Sequence, residues 1–201
     1  MSHGAGVRTA LGLAALGSTL LPLHRDRIGA REQRTFRLLN GLPDRLYPPA
    51  WPVMQLGALA AAPVTAGAAL AAGNRPLALR LFTGGTAAWT LAKAVKGVVR
   101  RGRPATLMVG VRSRGREASG LGYLSGHAAV STALAAAAYP HLGARGRRLT
   151  VGLASVVGLS RIYVGAHLPL DVAGGVGLGL LVDGAYAIGT KAAPRQDTSC
   201  Q

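Results

Sequence analysis

The residues best suited to chemistry stand in one short loop near the end of the chain, residues 160–171, between two hydrophobic runs. Five residues separate Arg161 from His167, and three separate His167 from Asp171. Pro169 suits the first turn of a helix, so the Asp171 carboxylate can reach back to the His167 ring. A carboxylate that holds one ring nitrogen leaves the other as a fixed, more basic nucleophile. Taken alone, the loop is equally consistent with a membrane-interface loop whose histidine has no chemical role.

Two further clusters carry residue types that fit the same chemistry. Six residues separate Lys96, just before a long polar loop over 97–125, from Arg103 within it. Ser125-Gly126-His127 ends that loop, where the start of a helix offers backbone amides to an anion and glycine permits close approach. The planar fork of Arg161 suits phosphate oxygens. Together the three cations would stabilise the charge on a phosphoryl group during transfer.

The two histidines can divide the work of phosphate ester hydrolysis. His167, oriented by Asp171, attacks phosphorus, while His127 protonates the leaving oxygen and then activates water. Because the cations supply the electrostatic stabilisation, we expect neither a metal nor another cofactor. A metal site has little support, since the chain has no His-x-x-x-His pattern, no cysteine pair and only one acid near these histidines.

The composition favours a membrane protein. Nearly half of the 201 residues are apolar, aromatic residues are scarce, and glycine and alanine abound, which suits helices packed closely in lipid. The net charge is +16, and 20 of the 23 basic residues are arginine. Such a balance often indicates nucleic-acid binding. Here the arginines lie between long apolar runs, so we expect a bilayer and a lipid phosphate as partners, and no nucleic acid.

The apolar runs predict an all-α fold, a polytopic membrane bundle of about six transmembrane helices in one domain, residues 1–201. The candidate spans are 5–23, 51–72, 77–95, 127–139, 149–164 and 168–188. The first of these is also consistent with a signal peptide or an interfacial helix.

Around these spans, the chain divides into an interfacial segment, 24–49, a catalytic helical core, 50–190, and a polar tail, 191–201. The interfacial segment contains an amphipathic helix over 26–41, which Asp26 would cap and Asn40-Gly41 would end. A solvated connector is the alternative for this helix. Asp183 lies deep in the last span, and we interpret it as a packing or opposite-interface residue rather than a catalytic one.

With alternating spans, the three clusters emerge on one face of the membrane, which predicts a single site. Lys96-x6-Arg103-Pro104, Ser125-Gly126-His127 and Ser160-Arg161-x5-His167-x3-Asp171 together resemble the three-part signature of the type 2 phosphatidic acid phosphatase superfamily. This superfamily includes integral-membrane lipid phosphatases and the vanadium haloperoxidases. One departure is that the second part usually reads Pro-Ser-Gly-His, whereas Leu124 stands at the first position here. The change loosens the turn but removes no chemical group.

The resemblance implies a role for each residue of the signature. His167 would be the nucleophile that becomes phosphohistidine, Asp171 its orienting acid and His127 the general acid. The phosphate-binding residues would be Lys96, Arg103, Ser125, Gly126 and Arg161.

The sequence therefore predicts a metal-independent membrane phosphatase that hydrolyses a lipid phosphate or diphosphate of prenyl or glycerolipid type. The alternatives are a lipid phosphotransferase with the same intermediate, a haloperoxidase and a catalytically silent lipid-binding protein. By resemblance, the site would lie on the extracytoplasmic face of a bacterial plasma membrane. Basic residues on the opposite face agree with that orientation, although the catalytic-side loops carry still more arginine. The opposite-face residues are Arg145, Arg147, Arg148, Lys191 and Arg195.

Overall fold

The computed structural model describes residues 2–23 and 27–192, and within these ranges all regular secondary structure is helical. The predicted cap Asp26 and the part of the polar tail beyond residue 192 lie outside the described residues. The α-helices are α1 (Ser2–Leu20), α2 (Ala30–Asn40), α3 (Tyr47–Met54), α4 (Ala61–Ala71), α5 (Arg75–Val99), α6 (Pro104–Leu107), α7 (Gly126–Ala138), α8 (Ala144–Tyr163) and α9 (Pro169–Ala192). Short 3₁₀ helices occur at Asp44–Leu46, Gln55–Gly57 and Tyr139–His141. The predicted all-α class is confirmed.

Helix α7 lies at the centre of the bundle and is buried along most of its length. Helix α9 approaches it closely through glycines. A Cβ atom on Gly175 would collide with the Ser125 carbonyl oxygen, and one on Gly179 would collide with the Ala129 carbonyl oxygen. Helix α5 packs on another side of α7 and also on α4, where a Cβ atom on Gly85 would collide with the Ala62 side chain. Small residues thus bring α9 close to α7 and α5 close to α4, as expected for helices that pack in lipid.

Helix α1 packs along α9 over several turns. Gly12 of α1 lies against the Gly177 carbonyl oxygen, and Gly184 of α9 lies against Thr9. Asp183 is buried between these helices and α5, where Arg8 and Arg80 approach its carboxylate at 2.7 Å and 2.6 Å. Two arginines therefore stabilise a buried acid that would otherwise be costly.

The predicted span over residues 51–72 does not form one continuous helix, because the chain breaks between α3 and α4. The two helical segments, Asp44–Gly57 and Ala61–Ala71, meet at an angle of 72°. Ala58 has an extended backbone that ends the helix. Gly57 lies so close to His127 of α7 that it has no space for a Cβ atom. The break thus lets this part of the chain bend against the start of α7.

Among the described residues, one helix is by itself long and apolar enough to cross a bilayer, over Pro169–Thr190. The bent pair α3–α4 meets the same test only when both of its parts are taken together. The six predicted spans therefore remain a prediction. Helix α8 begins at Ala144, five residues before the predicted span, because it includes the arginines of the preceding cluster. Arginine forms helices readily, so charge alone does not mark where this helix starts.

Arg114, in the long polar loop, fastens α2 to the end of α8. Its guanidinium donates to the carbonyl oxygens of Asn40, Leu42 and Tyr163 at 2.9, 2.7 and 2.6 Å. The Asn40 side-chain amide donates to the same Tyr163 carbonyl at 2.9 Å. Helix α2 begins at Ala30, and its Phe36 is buried in the cluster beneath α8 and α9. These contacts fix the helix predicted at the interface against the loop between α8 and α9.

We expect Gly175→Ala to lower stability, because its Cβ atom would meet the Ser125 carbonyl oxygen and force α7 and α9 apart. Overpacking of this kind costs about 1–3 kcal/mol. The matched control is Gly189→Ala on the same helix, where a Cβ atom meets open space and the gain in helix propensity is about 1 kcal/mol. Thermal unfolding in detergent measures both. Equal effects of the two substitutions would contradict the packing described here.

Candidate active site

Main-chain hydrogen bonds join the three sequence clusters at one end of the bundle. The Ser125 amide donates to the Asp171 carbonyl oxygen at 2.8 Å, which ties the start of α7 to the start of α9. The Gly122 amide donates to the Arg101 carbonyl oxygen at 2.7 Å, which closes the long loop back on the segment after α5. Residues that are far apart in sequence are thereby brought around one space.

That space is a cavity of about 310 Å³ lined by both charged and apolar residues. The apolar lining comes mainly from the break between α3 and α4 and from Trp89 and Ala92 of α5. The cavity also brings together six of the predicted site residues: Lys96, Arg103, Gly126, His127, Arg161 and His167. Both histidines therefore face a single ligand-sized volume.

Lys96 and Arg103 are held by neutral acceptors. The Lys96 Nζ donates to the carbonyl oxygens of Leu121 and Gly122, at 3.1 Å each. Arg103 donates through Nη1 to the Ala166 carbonyl oxygen at 2.7 Å. Carbonyl groups fix the direction of these side chains and leave their charge uncompensated.

Arg161 completes the group of three cations. Its Nη1 lies 3.7 Å from the Met54 sulfur, and its Nε is buried without a hydrogen-bond partner. In residues 2–23 and 27–192, no carboxylate forms an ion pair with any of the three cations. A buried donor without an acceptor and an excess of positive charge both suit an anionic ligand.

His167 is buried between the cavity and Asp171. Its Nδ1 lies 3.6 Å from the Asp171 Oδ2, slightly beyond hydrogen-bond distance, so Nε2 is the ring nitrogen left for a ligand. Burial, reinforced by the positive charges of Lys96, Arg103 and Arg161, lowers the pKa of His167 well below its ordinary value. The imidazole is therefore neutral at physiological pH, the form that a nucleophile requires.

Asp171 lies behind His167 and is completely buried. Its Oδ2 accepts a hydrogen bond from the Leu168 amide at 2.9 Å, and its Oδ1 accepts one from Arg101 Nη1 at 2.8 Å. The sequence suggested that a helix starting at Pro169 would turn this carboxylate back to the histidine, and α9 does begin there. The carboxylate is thus fixed by two hydrogen bonds.

His127 is the second residue of α7 and is partly exposed to the cavity. Its amide and that of Gly126 belong to the first turn of the helix, whose amide groups have no acceptor within the helix. The backbone of Gly57 packs against the His127 backbone and Cβ atom. The broken segment therefore fixes the position of this imidazole at the cavity wall.

One predicted detail differs in the structure. Ser125 is fully buried, and its Oγ accepts from the Ala128 amide at 3.4 Å, so the hydroxyl caps α7 and does not line the cavity. Lys93 is exposed but lines the cavity, with its ammonium 3.8 Å from the centre of the Trp89 ring. A cation–π contact of this kind keeps the ammonium at the rim.

Sequence reasoning missed Glu32 and Arg101. Arg101 is completely buried and donates both to Asp171 and to Glu32 of α2. In the sequence, Arg101 is one of several arginines in its loop. Glu32 had one recognisable signal, since it is the only acid between residues 27 and 43 among four arginines.

Comparison with known proteins agrees with this geometry. The family model of the PAP2 superfamily matches residues 77–193. A transmembrane PAP2-type phosphatidylglycerolphosphate phosphatase from Bacillus subtilis has a similar structure, with a TM-score of 0.73 and 22% identity, over 94% of this chain and 98% of that one. LpxE from Aquifex aeolicus has a TM-score of 0.67 and 22% identity, over 80% of this chain and 96% of its own. No curated protein sequence matches the chain.

The family model covers all three clusters and more than half of the chain, and the two solved structures share its fold. The chain therefore belongs to the PAP2 superfamily, which confirms both the family and the phosphatase class predicted from the sequence.

Proposed function

We propose that this protein is a membrane phosphatase that hydrolyses a lipid phosphate or diphosphate through a phosphohistidine intermediate, without a metal. The observation that carries the proposal is the cavity that His127 and His167 share with Lys96, Arg103 and Arg161. Two imidazoles and three cations without carboxylate partners among the described residues match a phosphoryl group in charge and in chemistry.

In the first step, Nε2 of His167 forms a bond to phosphorus as the bond from phosphorus to the lipid oxygen breaks. His127 gives its proton to that leaving oxygen. In the second step, His127 takes a proton from water, the water oxygen attacks phosphorus, and the bond to His167 breaks to release phosphate. Lys96, Arg103 and Arg161 stabilise the charge on the remaining phosphoryl oxygens in both steps.

The apolar part of the cavity lining supports a lipid as substrate. Ala58, Leu59 and Trp89 line the same cavity as the cations, so a prenyl or acyl group attached to the phosphate would find apolar contacts there. The apolar stretch Pro169–Thr190 begins two residues after His167, which would hold the cavity at the level of lipid headgroups. One similar structure is described as a phosphatidylglycerolphosphate phosphatase, which supports the glycerolipid class.

We propose that the cavity lies on the extracytoplasmic face of a bacterial plasma membrane. The cluster Arg145, Arg147 and Arg148 lies at the opposite end of α8 from Arg161, and such basic clusters are typical of the cytoplasmic side.

We therefore expect a reporter that is active only in the cytoplasm to be active when it is fused to the C-terminus. A silent C-terminal reporter, with an active one in the loop at residue 110, would reverse this orientation.

The purified protein should release phosphate from at least one prenyl or glycerolipid phosphate in detergent, with or without a chelator. His167→Ala should lower the rate by about 10⁴-fold or more, because the nucleophile is lost. The matched control is His141→Ala, an exposed histidine remote from the cavity, which should leave the rate unchanged. Phosphate release unaffected by His167→Ala would rule out the phosphohistidine route. A phosphorylated alcohol among the products would instead identify a phosphotransferase.

His127→Ala should separate substrates by their leaving groups. A lipid alcohol leaves poorly without a proton, so its release should slow by about 10²–10⁴-fold. An aryl phosphate with an acidic phenol needs little protonation and should lose much less in the first step. Single-turnover measurements of both substrates test this. If both slow equally, His127 is not the general acid.

A further inference from the structure

Glu32 and Arg101 form a buried ion pair directly behind the carboxylate that faces His167. Arg101 Nη2 donates to Glu32 Oε2 at 2.6 Å, and Nη1 donates to Glu32 Oε1 at 3.1 Å. Nη1 also donates to Asp171 Oδ1 at 2.8 Å. Glu32 thus holds both ends of the guanidinium fork, while Asp171 receives one hydrogen bond from it. The direction from which Arg101 approaches Asp171 is set by Glu32.

Glu32 also fixes the turn that carries Asp171. Its Oε1 accepts a hydrogen bond from the Leu170 amide at 3.0 Å, in the first turn of α9. A negative charge at a helix start is favourable because it meets free amides and the positive end of the helix dipole. One glutamate on α2 therefore holds both the partner of Asp171 and the backbone from which Asp171 projects.

The charges in this group determine how strongly Asp171 can hold the His167 ring. All three side chains are buried, with one cation between two anions, so the group keeps one negative charge facing the imidazole. Burial opposes the charge on Arg101, but the hydrogen bonds and charges of Glu32 and Asp171 outweigh it and raise the pKa of Arg101. Without Glu32, the positive charge of Arg101 would offset the single negative charge of Asp171, and the group would present no net charge to the imidazole.

We propose that the Glu32–Arg101 pair positions the nucleophile, by fixing the orientation of Asp171 and keeping a net negative charge behind the His167 ring, so that His167 presents an unprotonated Nε2 to phosphorus. The inference rests on the proposed function for its kinetic consequence. Its structural consequence, a His167 ring with the proton on Nδ1, holds without any substrate. Neither residue touches the cavity, so we call both positioning residues.

Glu32→Gln removes the charge and keeps the shape. Outer partners of this kind typically contribute about 10–100-fold to activity, so we expect kcat to fall by that amount. KM should change by less than about threefold, because none of the cavity cations contacts Glu32. In the ¹⁵N spectrum of histidine-labelled protein, the His167 signals, identified by their loss in His167→Ala, should move from one tautomer to a mixture of two. Glu32→Asp should recover part of both effects.

The matched control is Asp183→Asn, a buried acid paired with two arginines near the other end of α9. It should lose stability but keep kcat and the His167 signals. If Glu32→Gln behaves like this control, the pair is only structural and the inference is wrong. If Glu32→Gln does not fold, Arg101→Lys takes its place with the same expectations. Failure of both to fold would also overturn the inference, because it would make the pair a requirement of folding.

The two proposals fail in different ways. A wild-type protein that turns over no lipid phosphate, yet shows the tautomer change in Glu32→Gln, contradicts the proposed function and supports the positioning role. If the wild-type protein turns over substrate but Glu32→Gln leaves kcat and the ¹⁵N signals unchanged, the proposed function is supported and the positioning role is contradicted.

Discussion

The carboxylate of Asp171 is buried where a charge can persist only if hydrogen bonds and opposite charges surround it. Its side chain accepts from the Leu168 amide and from Arg101, and it faces His167. Its backbone carbonyl accepts from the Ser125 amide, which starts α7. One residue thus joins the histidine loop, the loop after α5 and the start of the central helix. Displacing any of these segments would leave a buried charge without a partner.

The rest of the architecture keeps those segments in place at short range. Glycines allow α9 to approach α7, and the glycine at the break after α3 allows the backbone to rest on His127. Lys96 and Arg103 at the cavity are oriented by carbonyl oxygens rather than by acids. A side chain can therefore be rigid without being neutralised. The site combines a fixed geometry with positive charge that no carboxylate in the described residues neutralises. This combination can stabilise a phosphoryl group without movement of the surrounding side chains.

Much of the site could be predicted from the sequence, because its residues lie where apolar runs meet polar loops. Their spacing also places them near the start of a helix, where side chains a few residues apart can approach one another. Lys96, Arg103, His127, Arg161 and His167 all line one cavity. The helical class followed from the length and composition of the same runs. The capping role of Ser125 could not be separated from phosphate binding, because the same residue at the same position serves either purpose.

Other features depend on contacts that no local pattern records. The bend after Gly57 lies where the backbone packs against His127 of α7. The apolar composition of this run would suit a straight helix equally well. The apolar run does not reveal that α8 begins at Ala144, because the first turns of the helix contain arginines. Glu32 is far in sequence from its partners, and an acid in an arginine-rich amphipathic helix is ordinarily on the solvated face. Its burial depends on long-range contacts, namely those of Arg114 that hold α2 against the end of α8 and its own with Arg101 and the Leu170 amide.

The region matched by the family model, residues 77–193, contains every residue of the three-part signature. It contains neither Glu32 nor α1. In a fragment restricted to that region, Arg101 would keep only Asp171 as an acidic partner. The glycine-containing face of α9 that packs against α1 would be exposed. We therefore expect the smallest active unit to be larger than the region that the family model matches, and to include α1 and α2.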